Sequence, residues 1–337
     1  MRRWRFSLRS FLLYVVTAAA LISVVGSKLA TGLRGELSDR WLRANGTYVG
    51  YEETGRRTWT SWLGKTEMAW VGVAKLDMDQ YPNGWKHIHN LGNLRYLDVG
   101  GDDCDSNECI RVLRDNASTL RELHFSDCKL SPRLAKTISD CQSLERLVFA
   151  GNATDLRDAE IQQLPRLQMV SVQCTNPTEG KLRWIGCQQV LETLYLCKGP
   201  LDDSTMEAIA EAPKLTEIDL QTAQVSHASI CRLLKCKSLK RLDFPKTTFG
   251  ADDVKSIRKS NLELVDLRKV DRTVEDLEQL LSCENLRFAK LNFADFNLAE
   301  LPQSRCSPLR LVLHNVSGCA EYDERTFGNV TIAWSYY

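Results

Sequence analysis

The sequence predicts an α/β solenoid, a stack of repeated strand, loop and helix units, preceded by a transmembrane helix. Three observations predict it. First, a six-residue pattern with apolar side chains at its first, fourth and sixth places, such as Leu191, Leu194 and Leu196, recurs along most of the chain. It opens at Val73, Leu94, Leu120, Leu144, Leu167, Leu191, Leu215, Leu239, Leu262, Leu286 and, less cleanly, Leu309, and from Leu120 onward the interval is 23 or 24 residues. A fixed period of this size marks supersecondary units that bury a continuous core only by stacking. Second, each unit begins with the alternation of a short strand (Leu215, Ile218, Leu220) and continues with helical spacing (Met206, Ile209, Ala210 in the unit before). Third, helix starts are marked: Ser131-Pro132 joins a capping residue to proline at the first helical place, and Ser204 to Glu207 and Thr273 to Asp276 have capping-box spacing.

Taken in order, the chain starts with Arg2, Arg3, Arg5 and Arg9, followed by an uncharged run from Phe11 to Val25. Fifteen helical residues rise roughly 22 Å, short of the ~30 Å hydrocarbon core, and Ser10, Gly26, Ser27 and Leu29 extend the run to a tilted span. Residues 1–27 are therefore expected to form an arginine-rich cytoplasmic stub and a signal-anchor helix, with the bulk of the chain extracytoplasmic. Cleavage near Val25-Gly26-Ser27, giving a secreted chain, stays open as the alternative. Residues 28–72 carry Tyr48, Tyr51, Trp59, Trp62 and Trp70 and are expected to cap the open end of the stack. The repeats occupy 73–308. Residues 309–337, with a last strand over Val330 to Trp334, are expected to form the C-terminal cap.

A net charge of +1 over 337 residues supplies no bulk field for a polyanion, so nucleic acid is not an expected partner. Twelve cysteines in an exported chain would ordinarily suggest disulfides. Cys141, Cys236, Cys283 and Cys306, however, each stand three residues before the first leucine of the next unit, which makes this a packing position. Structural thiols are the expectation there, and Cys283 with Cys306, in successive units, is the expected pair if any bridge forms.

The segment LRELHFSDCKL, residues 120–130, brings the pattern to a known family. It resembles the leucine-rich repeat consensus L-x-x-L-x-L-x-x-N/C-x-L, with Cys128 at the N/C place; Asn152 holds that place one unit later. Elsewhere it carries Thr175, Gly199, Ala223, Thr247, Val270 and Ala294, so no continuous Asn or Cys ladder is expected. The resemblance covers about residues 73 to 314. It implies a ribonuclease-inhibitor-like horseshoe with parallel strands on the concave side and helices on the convex side. With its arginine-rich start, hydrophobic run and aromatic segment, the whole chain is similar to bacterial membrane-anchored leucine-rich repeat proteins.

In such a fold the second, third and fifth places of each strand face outward on the concave sheet. The fifth-place column reads Asp77, Asp98, His124, Val148, Ser171, Tyr195, Asp219, Asp243, Asp266 and Lys290. Strands about 4.8 Å apart would stack Asp219, Asp243 and Asp266 into a carboxylate ladder, and like charges at that spacing repel by about 1 kcal/mol in water and about 3–4 kcal/mol in a less polar setting. Either a basic partner relieves this, or the chain's own Lys240, Arg241 and Lys290 do. The expected partner-binding residues are Tyr195, Asp219, Asp243, Asp266, Arg241 and His124 on the concave face. No catalytic, cofactor or metal site is expected: His87 and His89 with Cys104 and Cys109 match no zinc spacing, and no nucleophile has a base placed beside it.

The function expected from this sequence is that of a non-enzymatic, membrane-anchored scaffold that recognises a protein, peptide or envelope polymer through its concave sheet, with the lipid bilayer as a second partner through the N-terminal helix. A structural spacer of the cell envelope, working through convex or edge surfaces, is the alternative.

Overall fold

The computed structural model describes residues 72–77, 84–91, 93–100, 102–151, 160–173, 182–196, 199–220, 223–243, 251–267, 282–292, 308–314, 322–327 and 330–335, with isolated positions 23, 34, 37, 38, 40, 49, 50, 156, 279 and 280. Apart from Ser23, the apolar run 11–25 lies outside them, as do Tyr48, Tyr51, Trp59, Trp62 and Trp70. Among the described residues no helix is long and apolar enough to cross a membrane.

The chain divides into two compact units, Met1–Val99 and Gly100–Tyr337. In the first, β1 (Val49–Gly50) pairs antiparallel with β2 (Gly72–Asp77), followed by α1 (Gly84–His89) and β3 (Tyr96–Gly100). Trp85 and Ile88 of α1 are buried, as are Leu94, Leu97 and Val99, the first, fourth and sixth places of their repeat. Buried Ser38 accepts from Asn90 Nδ2 and lies 3.3 Å from His87 Nδ1. Burial and the neighbouring Lys86 hold the His87 pKa below its usual value.

In the second unit the strands β4 (Glu122–Ser126), β5 (Arg146–Ala150), β6 (Met169–Gln173), β7 (Thr193–Leu196), β9 (Glu217–Asp219), β11 (Arg241–Asp243), β12 (Leu264–Leu267), β13 (Phe288–Asn292) and β14 (Leu309–His314) pair in parallel in that order. Then β16 (Val330–Ser335) pairs parallel with β14, and β15 (Tyr322–Phe327) closes the order antiparallel to β16. Two short strands outside this sheet, β8 (Gly199–Leu201) and β10 (Ala223–Val225), pair with each other, starting from the N/C places of successive repeats.

The register is the one the leucines dictate. Leu123, Leu147, Val170, Leu194, Ile218, Leu242, Val265 and Ala289 stand opposite one another across eight strands, and all are buried. Phe125 and Phe149 occupy successive sixth places and stack with centroids 5.8 Å apart. Outside the strands a second ladder recurs, in which one carbonyl accepts two amides of the next repeat. Arg121 O takes Glu145 N and Arg146 N, Glu192 O takes Thr216 N and Glu217 N, and Lys240 O takes Glu263 N and Leu264 N, all at 2.7 to 3.0 Å. The last repeat departs from expectation: Ala289 faces Leu311 and Leu291 faces Leu313, so its first place falls on Pro308 rather than Leu309.

Among the described residues, the helices α2 (Asn107–Asp115), α3 (Pro132–Ser139), α4 (Asp203–Ala210), α5 (His227–Leu233) and α6 (Ala251–Arg258) follow strands of this unit or lead into them. Ser131 caps α3 as expected, accepting from Leu134 N at 3.1 Å and donating to Asp105 of the preceding repeat at 2.6 Å. Ser226 caps α5 in the same way and donates to Asp203. For α4 the expected cap, Ser204, is corrected to Asp202, whose carboxylate accepts from both the amide and the hydroxyl of Thr205, at 2.9 and 2.7 Å. A carboxylate is the stronger acceptor, so it takes the end of the helix.

The expectation of a full helix in every repeat also fails. Between β6 and β7 the described residues hold a single 3-10 turn, Arg183–Ile185. Asn176-Pro177 and Gly180 precede it in the sequence, and both proline and glycine disfavour helix. In place of helical hydrogen bonding, the fully buried Gln188 accepts from Leu164 N at 2.9 Å and donates to Trp184 O at 3.0 Å.

The cysteines are corrected as well. Cys104, in the 3-10 turn Asp102–Asp105, is disulfide-bonded to Cys128, with Cα atoms 6.0 Å apart, and Cys283 keeps a buried thiol that forms no disulfide; Cys306 lies outside the described residues. The reason lies in where the thiols point. At the position three residues before the leucine, Cys141 and Cys283 each donate to the carbonyl four residues back, Thr137 O and Gln279 O, at 3.5 Å. That position turns the sulfur into its own repeat, whereas Cys104 and Cys128 meet between repeats.

Candidate functional site on the strand face

The side chains at the third and fifth places leave the sheet on the side opposite the leucines, and the parallel register lines them up. The third-place row runs Glu122, Arg146, Met169, Thr193, Glu217, Arg241, Leu264 and Phe288. The fifth-place row runs His124, Val148, Ser171, Tyr195, Asp219, Asp243, Asp266 and Lys290. Asp219, Asp243 and Asp266 therefore do stand directly opposite one another, as their spacing implies.

They are not an open acidic stripe, however. Asp243 is 2% exposed and Asp266 3% exposed, which corrects the expectation that both face solvent. Arg241 lies along its own strand and gives Asp243 two hydrogen bonds, from Nε at 3.3 Å and Nη2 at 3.1 Å. Lys290 places its ammonium 3.7 Å from Asp266 and over the Phe288 ring, 5.9 Å from the centroid. Lys240, the other expected counter-ion, pairs with Glu263 at 2.7 Å instead. It occupies a second place, one residue out of phase with the aspartate column.

Two half-exposed clusters result. In the larger, Arg241 Nη1 lies 3.1 Å from Glu217, and the Tyr195 hydroxyl donates to the same carboxylate at 3.5 Å. Hydrogen bonding and charge from Asp243 and Glu217 raise the already high Arg241 pKa. Burial, then the Glu217 charge, raises that of Tyr195, so the phenol stays protonated and a donor. In the smaller cluster His124 Nε2 lies 2.9 Å from Glu122, which also faces Arg146 at 3.8 Å. The hydrogen bond from His124 is the main reason that the Glu122 carboxyl sits below its ordinary range.

Of the six residues nominated from sequence, the structure brings Tyr195, Arg241, Asp243 and Asp219 onto three neighbouring strands, puts Asp266 on the fourth, and leaves His124 in the separate cluster. Sequence reasoning missed Glu217, Glu122 and Arg146. The signal was present in the third place of the same six-residue pattern, and each of these residues reaches across a strand boundary to a charge on its neighbour. Chemically, the face offers fixed donors and acceptors in alternating sign around an aromatic hydroxyl. Among the described residues no group of three or more His, Cys, Asp or Glu side chains is placed to hold a metal ion, and Cys104 is taken up by its disulfide.

No protein-family model matches the chain, and no curated protein matches it in sequence. Among solved structures it is similar to a chain of the TLR13–ssRNA13 complex, at 16% identity and a TM-score of 0.45, covering 75% of this chain and 33% of that one. It is also similar to internalin C2 of Listeria monocytogenes strain 4b F2365, at 16% identity and a TM-score of 0.30 over 62% of this chain and 74% of that one. A chain of the mouse RP105/MD-1 complex matches at 19% identity and a TM-score of 0.38, over 57% and 37%. The chain thus spans about a third of the length of the TLR13 chain. These three are leucine-rich repeat proteins. On the parallel register of its own repeated strands and their buried leucine column, the chain has the α/β leucine-rich repeat fold.

Proposed function

We propose that this chain is a non-enzymatic recognition scaffold that binds a protein or peptide on its strand face, held at a membrane by the arginine-flanked run 11–25 with the repeats on the extracytoplasmic side. The observation that carries the reading is the Tyr195, Glu217, Arg241 cluster: three half-exposed side chains from three adjacent strands, already hydrogen-bonded to one another. Tyrosine and arginine are the residue types that most often anchor protein interfaces, and side chains held in place before binding lose less entropy on association. The eight strands from β4 to β13 set such side chains about 4.8 Å apart over about 34 Å, a length that suits an extended chain better than a small molecule.

The test is photo-crosslinking in the native membrane, with a photoreactive residue replacing Thr193 on the strand face or Glu207 on the exposed side of α4. Capture from position 193, lost when Tyr195→Ala and Arg241→Ala are combined, is the expected result. Capture only from position 207 would favour the structural spacer and overturn the strand-face reading. A reporter fused after Tyr337 tests topology separately, and activity in the cytoplasm would reverse the placement.

A further inference from the structure

A second feature lies where α5 and α6 end, and it shares no residue with that cluster. An open hollow of about 490 Å³ is lined there by Lys235, Lys237 and Lys259, with Ser256 and Cys231 among its other walls, and among the described residues no carboxylate lines it. All three lysines are exposed, and none has an ion-pair or side-chain hydrogen-bond partner among the described residues. The charge is local: residues 231–261 carry nine Lys and Arg against three Asp, in a chain whose total is +1.

The bland explanation is that lysines at helix C-termini offset the negative ends of the helix dipoles. The magnitudes do not close on that explanation. Each C-terminus is equivalent to at most about half a negative charge, so two offset about one of three ammonium charges and leave a surplus of about two. Nor does the repeat demand lysine there. Glu211, four residues before Leu215, holds the place of Lys235 one repeat earlier and is itself the C-cap of α4. Glu284, two residues before Leu286, holds the place of Lys237 two repeats later.

We infer that this hollow is a binding site for a phosphate monoester. Such a group carries about 1.5 to 2 negative charges at neutral pH and three acceptor oxygens, which matches both the surplus and the number of ammonium donors. A phosphodiester, with one charge, leaves part of the surplus in place. A free phosphorylated metabolite and the headgroup of an anionic lipid present the same chemistry. The site is independent of the strand-face reading, since it shares no residue with it.

The experiment is calorimetric titration of the purified full chain in neutral detergent, with glycerol 3-phosphate as the soluble probe and dihexanoyl phosphatidic acid as the lipid probe. The expected result is saturable one-to-one binding, weakened at least tenfold in a Lys235→Gln, Lys237→Gln, Lys259→Gln triple variant. It should change less than twofold in a control triple at exposed lysines elsewhere, Lys86→Gln, Lys129→Gln, Lys136→Gln. Conversion of the three pocket lysines to arginine, which keeps the charge, should retain binding and shows that the glutamine variant has not failed by misfolding. Tighter binding of the lipid probe assigns the source to a membrane headgroup, and equal binding assigns it to a soluble phosphomonoester; both support the site. Equal affinity of the pocket and control variants would overturn it, as would equal binding of dihexanoyl phosphatidylglycerol, a phosphodiester.

Discussion

Arg241 sets its guanidinium 3.1 Å from Glu217, the residue directly opposite it on the neighbouring strand, while the same guanidinium grips Asp243 two residues on. Asp243, the middle member of the aspartate column, thus has a cation from the adjacent column beside it, and Asp266 has Lys290 at 3.7 Å, so two of the three in-register carboxylates face a positive charge of the chain's own.

Arg241→Met strips a carboxylate that is 2% exposed of its two side-chain N–H donors from Arg241, and hydrogen bonds to charged groups are worth about 1.5–3 kcal/mol. Urea unfolding should show a loss of about that size. Adding Asp243→Asn should return part of it, with a coupling of at least about 0.5 kcal/mol in the double-mutant cycle. Strict additivity would mean that Asp243 draws its stability from elsewhere.

Acid sensitivity should be traceable to Glu122. Its carboxyl is held below the ordinary value of 4.5, first by the hydrogen bond with His124. A depressed folded-state pKa contributes stability that is complete above the unfolded value and disappears as pH falls through the folded one. Glu122→Gln should therefore flatten the stability profile below about pH 4.5 and leave its shape near neutrality unchanged. An acid limb identical to that of the parent protein would remove Glu122 from the account.

The buried columns were legible in the sequence because period-two alternation with a fixed repeat leaves one possible register: Leu194 goes inward, so Thr193 and Tyr195 go outward. The fate of the outward residues was not, because it depends on which long side chain of a repeat lies over which short one. Arg241 over Asp243 and Lys240 over Glu263 are one residue apart in sequence and serve different strands. The 3-10 turn that the described residues hold before β7 follows Asn176-Pro177 and Gly180, residues that disfavour helix, but an averaged repeat conceals that signal.

Cysteine chemistry gives the third prediction. Mass spectrometry of unreduced peptides should find Cys104 joined to Cys128, and a bridge closing 24 residues contributes about 3–4 kcal/mol in the chain-entropy account. Reduction should lower stability in the parent protein and not in a Cys104→Ala, Cys128→Ala variant. Alkylation of the folded chain at neutral pH should mark exposed Cys187 and spare Cys141, whose thiol is pushed up to about 12 by burial and by Asp140. Labelling of Cys141 at the rate of Cys187 would show that its repeat opens.

Gln188 supports the stretch between β6 and β7, where the described residues hold a single 3-10 turn. Its Oε1 accepts Leu164 N at 2.9 Å and its amide donates to Trp184 O at 3.0 Å and Gln162 O at 3.4 Å, so one buried side chain stands in for helical backbone bonds on two repeats. Gln188→Leu adds apolar surface to the core and should nevertheless destabilise, because a buried amide left without its acceptor costs about 1–3 kcal/mol. Gln188→Glu keeps an acceptor for Leu164 but loses both donors and places a charge among carbonyls. The leucine variant should therefore show a pH-independent loss, and the glutamate variant a loss that deepens as the new carboxyl ionises. If the leucine variant is as stable as the parent protein in urea, these repeats are held by their leucines alone, and Gln188 is only a passenger in the core.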